Sequence, residues 1–144
     1  MAETGFAAFS KTVDKTNQIL KQIEDAYGWP QERRNQSYQA LRTVLHALRD
    51  RLTIEEIPQF GAQLPMLVKG IYYEGWDPTK TPMKMTGEEL LNRIRREFPY
   101  DIVGGIERLV VTVLDALRGY ISPGEWADLR AILPADVRRL LPAT

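Results

Sequence analysis

The 144 residues contain no cysteine, one histidine and no excess charge of either sign, 19 basic side chains standing against 19 acidic ones. Without cysteine there is no disulfide framework, iron–sulfur centre, cysteine zinc site or thiol nucleophile. The lone histidine, His46, excludes metal sites built on two or more imidazoles. Neutrality and a pI near 6.6 give no electrostatic reason to expect nucleic acid or an anionic membrane as partner. The longest aliphatic run, Leu109-Val110-Val111-Thr112-Val113-Leu114, falls far short of the roughly 20 residues a membrane-spanning helix needs. The N-terminal MAETGFAAFSKTVDK lacks the basic start and apolar stretch of a secretory signal, so the expected location is the cytoplasm.

What is present is an internal repeat. Thr43-Val44-Leu45-His46-Ala47-Leu48-Arg49 returns 69 positions later as Thr112-Val113-Leu114-Asp115-Ala116-Leu117-Arg118. The register then holds without a gap, placing Glu56 on Glu125, Leu64-Pro65 on Leu133-Pro134 and Val68 on Val137. Upstream, Trp29-Pro30 falls on Phe98-Pro99. Residues 43–72 and 112–141 are identical at 11 of 30 positions, which chance rarely gives without gaps. The expected organisation is one domain over 1–144, with a first repeat at about 4–73, an aromatic connecting loop at about 73–85 and a second repeat at about 86–141.

Each copy reads as helices. Phe6, Phe9, Val13, Leu20, Ile23 and Tyr27 mark one face of a first helix, which Gly28 ends and after which Pro30 opens the next. Tyr38, Leu41, Leu45, Leu48 and Leu52 continue the three-four spacing down a second. Thr53-Ile-Glu-Glu56, Thr86-Gly-Glu-Glu89 and Ser122-Pro-Gly-Glu125 have the spacing of capping boxes. Gly104-Gly105 lies in helix-like sequence, opposite Asn35-Gln36 in the repeat, and suggests close helix approach or a kink. The fold expected is an all-α, tandem pseudo-duplicated bundle of about seven or eight helices. The halves either pack back to back around one core or stack as a short solenoid; the 69-residue unit is long for a solenoid and favours the shared core.

The segment from Tyr72 to Met85 has no counterpart after the second copy, and Gly75, Pro78 and Pro82 oppose a helix there. Loops of a dozen residues are unusual in a compact domain unless they work or are tied down. This one carries Tyr72, Tyr73 and Trp76, and rigid aromatic anchors are typical of protein interfaces. Tyr72, Tyr73, Glu74 and Trp76 are therefore the candidate partner-binding residues, the other reading being that Trp76 plugs the seam between the halves.

At this loop the chain resembles a known family. The run from Leu48-Arg49-Asp50-Arg51-Leu52-Thr53 through Ala62-Gln63-Leu64-Pro65 to Gly70-Ile71-Tyr72-Tyr73-Glu74-Gly75-Trp76, followed later by Gly124-Glu125 and Leu133-Pro134, is similar to the signature of the bacterial domain of unknown function 2267. The likeness covers nearly the whole chain. It implies a small helical cytoplasmic protein and brings no catalytic residues with it.

The polar residues offer little chemistry. Arg42, His46 and Arg49 form a stripe at helical spacing, able in principle to hold a phosphate or carboxylate, or simply to pair with neighbouring acids. Arg49 recurs as Arg118, and a shared arginine suggests a structural task such as capping the last carbonyls of a facing helix. Glu55/Glu56 and Glu88/Glu89 sit where acids complement a helix start. No serine lies in a Gly-x-Ser-x-Gly elbow, and no cofactor is implied. The reading is of a non-enzymatic protein-interaction module, with self-association as a homodimer through exposed aromatics included. The alternative is a small-molecule module, with an apolar or acidic ligand held between the repeats by Arg49, Arg118 or His46.

Overall fold

The first helix, α1 (Ala7–Tyr27), ends where glycine allows it: Gly28 takes a left-handed φ of 70°. The N–H groups of Gly28 and Trp29 return to Asp25 O and Glu24 O, the paired bonds of a Schellman motif. The computed structural model describes residues 6–141, the side chain of Asp136 apart. Residues 4 and 5 of the expected first repeat, and Pro142-Ala143-Thr144, lie outside the described residues. Pro30 precedes a 3-10 turn (Gln31–Arg33) that runs into α2 (Arg34–Arg51), one step earlier than the first helical position expected for it.

The fold is all-α. After α2 come α3 (Glu56–Gly61), α4 (Met66–Tyr73), α5 (Gly87–Glu97), α6 (Gly105–Leu117), α7 (Pro123–Ala131) and α8 (Ala135–Arg138), and no strand occurs among the described residues. The order long, long, short, short occurs twice. Pro65 and Pro134, which precede α4 and α8, adopt nearly the same backbone angles (φ −54°, ψ 151° and φ −56°, ψ 149°).

The core is organised around α2. Every residue from Thr43 to Asp50 is buried, because α2 packs against α1, α4, α5 and α6 at once. The buried apolar side chains form one cluster, joining Ile23, Leu45 and Tyr72 to Ile94, Leu114 and Trp126. A helix enclosed this completely must satisfy any polar side chain it carries from within the protein.

The caps are mostly those expected. Thr53 with Glu56 and Thr86 with Glu89 each form both halves of a capping box. At Ser122 only half of the box forms: its hydroxyl accepts from Glu125 N at 3.3 Å, while its own N–H goes to Gln63 Oε1 at 2.6 Å. Gln63 thus ties the end of α3 to the start of α7. The glycine pair departs further from expectation. Gly104 and Gly105 have φ of 91° and 79°, so as cap and first residue they form the left-handed turn that starts α6 and do not lie in the interior of a helix. A Cβ on Gly104 would stand 2.5 Å from Arg108 Cδ.

Candidate functional site

The aromatic segment is tied down. Helix α4 runs through Tyr72 and Tyr73, so the connector starts at Glu74. Val68 and Tyr72, four residues apart on α4, share its buried face. The Tyr72 ring packs edge-on against Phe60, and its hydroxyl donates to Ile57 O at 2.8 Å. Burial pushes its phenol pKa well up. Tyr72 is therefore unavailable to a partner, which corrects the reading of it as a contact residue. Tyr73 and Trp76 are half-buried against the core, with rings 5.6 Å apart. The Trp76 indole N–H donates to Thr81 Oγ1 at 3.0 Å, within its own loop. Asp77 turns the chain by accepting from Thr79 N, and Met83 N donates to Asp50 O at 2.7 Å.

The Arg42-His46-Arg49 stripe of α2 clamps the C-terminal end of α4. Arg49 Nη1 donates to Tyr72 O and Glu74 O, both at 2.9 Å, which meets the carbonyl-capping role suggested for this arginine. Its Nε and Nη2 hold both oxygens of Asp50, at 2.7 and 3.1 Å, and Arg93 reaches the same carboxylate at 2.8 Å. Burial pushes the Asp50 carboxyl up, but its bonds to Arg49 and Arg93 outweigh this and leave it below the ordinary range. His46 Nε2 stands 2.7 Å from Ile71 O. A carbonyl only accepts, so Nε2 carries the proton, and burial pushes the imidazole pKa down, keeping the ring neutral. Arg42 completes the stripe by pairing with Glu74 at 2.9 Å. The two carboxylates this stripe holds, Asp50 and Glu74, are the chain's own.

Arg118 does not repeat this role. Its guanidinium lies 5.4 Å from the centre of the Trp126 ring, and the facing α8 is one turn long. Separately, the buried Glu24 pairs with the partly exposed Arg34, with Ser37 Oγ donating to the same carboxylate at 2.6 Å. A cleft of about 400 Å³ between α1 and α6 is lined by Gln22, Asp115 and Tyr120 among others, and not by Arg49, Arg118 or His46. Among the described residues no group of three or more His, Cys, Asp or Glu side chains could hold a metal ion, and no helix is long and apolar enough to cross a membrane.

The surface that stands out is apolar, and it lies elsewhere. The first turns of α1 overhang the core, so Phe6 and Phe9 are 57% and 53% exposed although they lie on the apolar stripe. Beside them α4 presents Met66 and Leu67, 62% and 40% exposed. Between the two helices runs a groove of about 300 Å³ lined by Phe9, Thr12, Val13, Met66, Leu67 and Gly70. Thr12 Oγ1 accepts from Leu67 N at 2.9 Å, so the hydroxyl on the groove wall already serves the start of α4. Nothing stands within 4 Å of where a Gly70 Cβ would sit, which leaves the groove floor open.

Phe6, Phe9, Met66 and Leu67 were not singled out as a site by sequence reasoning, yet a signal existed. In the 69-residue register, residues 7–17 fall on 76–86, which contain Pro78 and Pro82. The first half of α1 therefore has no α-helical equivalent in the second half of the chain, where only a 3-10 turn (Pro78–Lys80) stands in that register.

No curated protein matches the chain. The family model described as "Uncharacterized conserved protein (DUF2267)" matches residues 16–140, a span that includes the α4 wall of the groove and begins after Val13 on its α1 wall. With most of its length matched, the chain belongs to the DUF2267 family.

Proposed function

We propose that the protein is a non-catalytic, cytoplasmic protein-interaction module, and that its docking face is the apolar groove between the first half of α1 and α4. The observation that carries this reading is the exposure of Phe6, Phe9, Met66 and Leu67 around one groove. At roughly 200 Å² for a large side chain, these four present about 400 Å² of apolar surface. That lies within the ~300–600 Å² of the largest patch on a typical monomer, which is often functional. Elsewhere the buried carboxylates Glu24 and Asp50 are engaged within the fold, Glu24 with Arg34 and Asp50 with Arg49 and Arg93. Two units of one ancestral helical element, the second without the overhang of α1, account for why the patch occurs once.

The test is photo-crosslinking in producing cells from position 66, with position 103 as control. Val103 is 75% exposed and lies by the other end of α1, where Arg108 bridges Val103 O to Ala26 O. A discrete protein adduct from position 66 and none from position 103 is expected. No adduct, or equal adducts from both, overturns the reading. So does a small ligand of a few hundred daltons retained in the groove by the purified protein in native mass spectrometry.

A further inference from the structure

We infer that the occupant of the groove is a second copy of this chain, the Phe6–Phe9 pair of each copy seating in the other's groove about a twofold axis; the inference rests on the docking role proposed above. A closed symmetric contact must be made by one patch that carries both halves of the fit. This patch does. Phe6 and Phe9 meet edge to face with centroids 4.9 Å apart, a preformed two-ring knob at the projecting end of α1. The groove begins at Phe9 itself, so knob and receptacle are continuous.

The sizes agree. An apolar cavity of roughly 150 Å³ accepts one benzene ring. A groove of about 300 Å³ is of the size for two. Ala7 and Ala8, small and exposed between the two phenylalanines, allow the α1 segments of two copies to approach closely. The groove lining contains no charged side chain, and the whole chain has no net charge, so association meets no long-range repulsion. About 400 Å² of large apolar side chain is half of the ~800 Å² per partner in a standard interface. The contact is thus a reversible dimer of modest strength.

Sedimentation equilibrium of the full 144-residue chain over about 1–500 µM tests this. The expected result is a concentration-dependent rise from 16.5 kDa to twice that mass. Phe6→Lys and Met66→Glu replace side chains that are more than half exposed, so both variants keep the fold. Each alone is expected to remain monomeric, with the affinity falling at least tenfold. An equimolar mixture is expected to recover dimer, because one intact knob-and-groove contact joins one Lys–Glu pair.

A wild-type chain that stays monomeric at the highest concentration overturns the inference. So does a dimer that survives both substitutions, or a mixture that fails to recover. The crosslinks separate the two levels. An adduct from position 66 to a different protein, with a monomeric purified chain, ends the second-copy inference and leaves the docking reading standing. No adduct ends both.

Discussion

The indole of Trp29 lies nearly parallel to the ring of Phe98, with centroids 6.4 Å apart and planes 17° apart. These two residues stand 69 positions apart, the spacing that aligns the two halves of the sequence. Trp29 also stacks on Tyr27 at 4.6 Å, and Arg108 covers Tyr27 at 4.2 Å. A cation and three rings therefore join the end of α1 to the end of α5. Offset aromatic pairs contribute about 0.5–1.5 kcal/mol beyond the area they bury. Trp29→Leu and Phe98→Leu should each destabilise the fold, and the double variant should lose less than the sum by that amount. Urea unfolding of the four proteins measures the coupling; strict additivity would show that the rings are only neighbours.

Arg49 gives a second expectation. Its guanidinium neutralises Asp50 and caps Tyr72 O in the interior, and caps Glu74 O nearer the surface. Removing one partner of a buried ion pair typically costs about 3–5 kcal/mol; here Arg93 still reaches Asp50, but Tyr72 O and Glu74 O lose their donor as well. Arg49→Leu should fall in that range. Arg49→Lys should recover little, since an ammonium cannot span a carboxylate and two carbonyls in the fixed geometry of a guanidinium. Arg93→Leu should cost less, since Arg49 then still holds Asp50 by two bonds and keeps Tyr72 O and Glu74 O capped. Equal losses from the two leucine variants in urea unfolding would contradict this assignment.

The contrast between Arg49 and Phe9 explains how far the sequence could be read. Helices were legible because the three-four spacing, Gly28 and the Thr53 and Thr86 caps are local signals that agree with one another. Arg49 was legible as a carbonyl cap because an arginine kept in both copies suggested a structural task, although Arg118 does not share that role. Phe9 was not, because periodicity marks a face and cannot say what covers it. Cover depends on how far the facing helix reaches, and α4 has only eight residues against the 21 of α1. Tyr72 was misplaced for the opposite reason. The glycine and prolines that follow drew attention to a loop, while its spacing from Val68 put it in the core. At Gly104-Gly105 the repeat itself misled, since Asn35-Gln36 are helical and two glycines in sequence offer a turn instead.

Glycine positions in the two halves should respond in opposite ways. A Cβ on Gly61 would lie 2.8 Å from Tyr73 Oη and 3.0 Å from Tyr72 Cε2. Tyr72 is held by Phe60 and Ile57 O and cannot yield, so Gly61→Ala should destabilise by about 1–3 kcal/mol, as overpacking does. Gly124, in the first turn of α7, has nothing within 4 Å of the same position. Gly124→Ala should stabilise by up to about 1 kcal/mol through the lost freedom of the unfolded chain. Thermal or urea unfolding compares them directly, and a stabilising Gly61→Ala would mean that the Tyr72–Tyr73 pair is looser than its contacts indicate.

Stability should fall with pH in two separate steps. His46 is the only histidine, so the first can be assigned. Burial lowers its pKa in the folded chain, and the charges of Arg49 and Arg42 lower it further against the bond to Ile71 O. In the unfolded chain it titrates near the ordinary value of about 6.5. Below that pH the unfolded chain therefore binds a proton that the folded chain refuses, and stability declines as the pH falls. The second step belongs to Glu24 and Asp50. Burial raises both carboxyls, but Arg34 and Ser37 at one, and Arg49 and Arg93 at the other, lower them below their ordinary values. Their contribution is complete above the unfolded values of roughly 4 and is lost as pH falls through the lower folded ones. Urea midpoints from pH 8 to pH 3 should show a decline below about 6.5 and a steeper one below about 4. In His46→Gln, whose amide can still donate to Ile71 O, the first decline should vanish and the second remain. If the first persists in that variant, His46 is not its source.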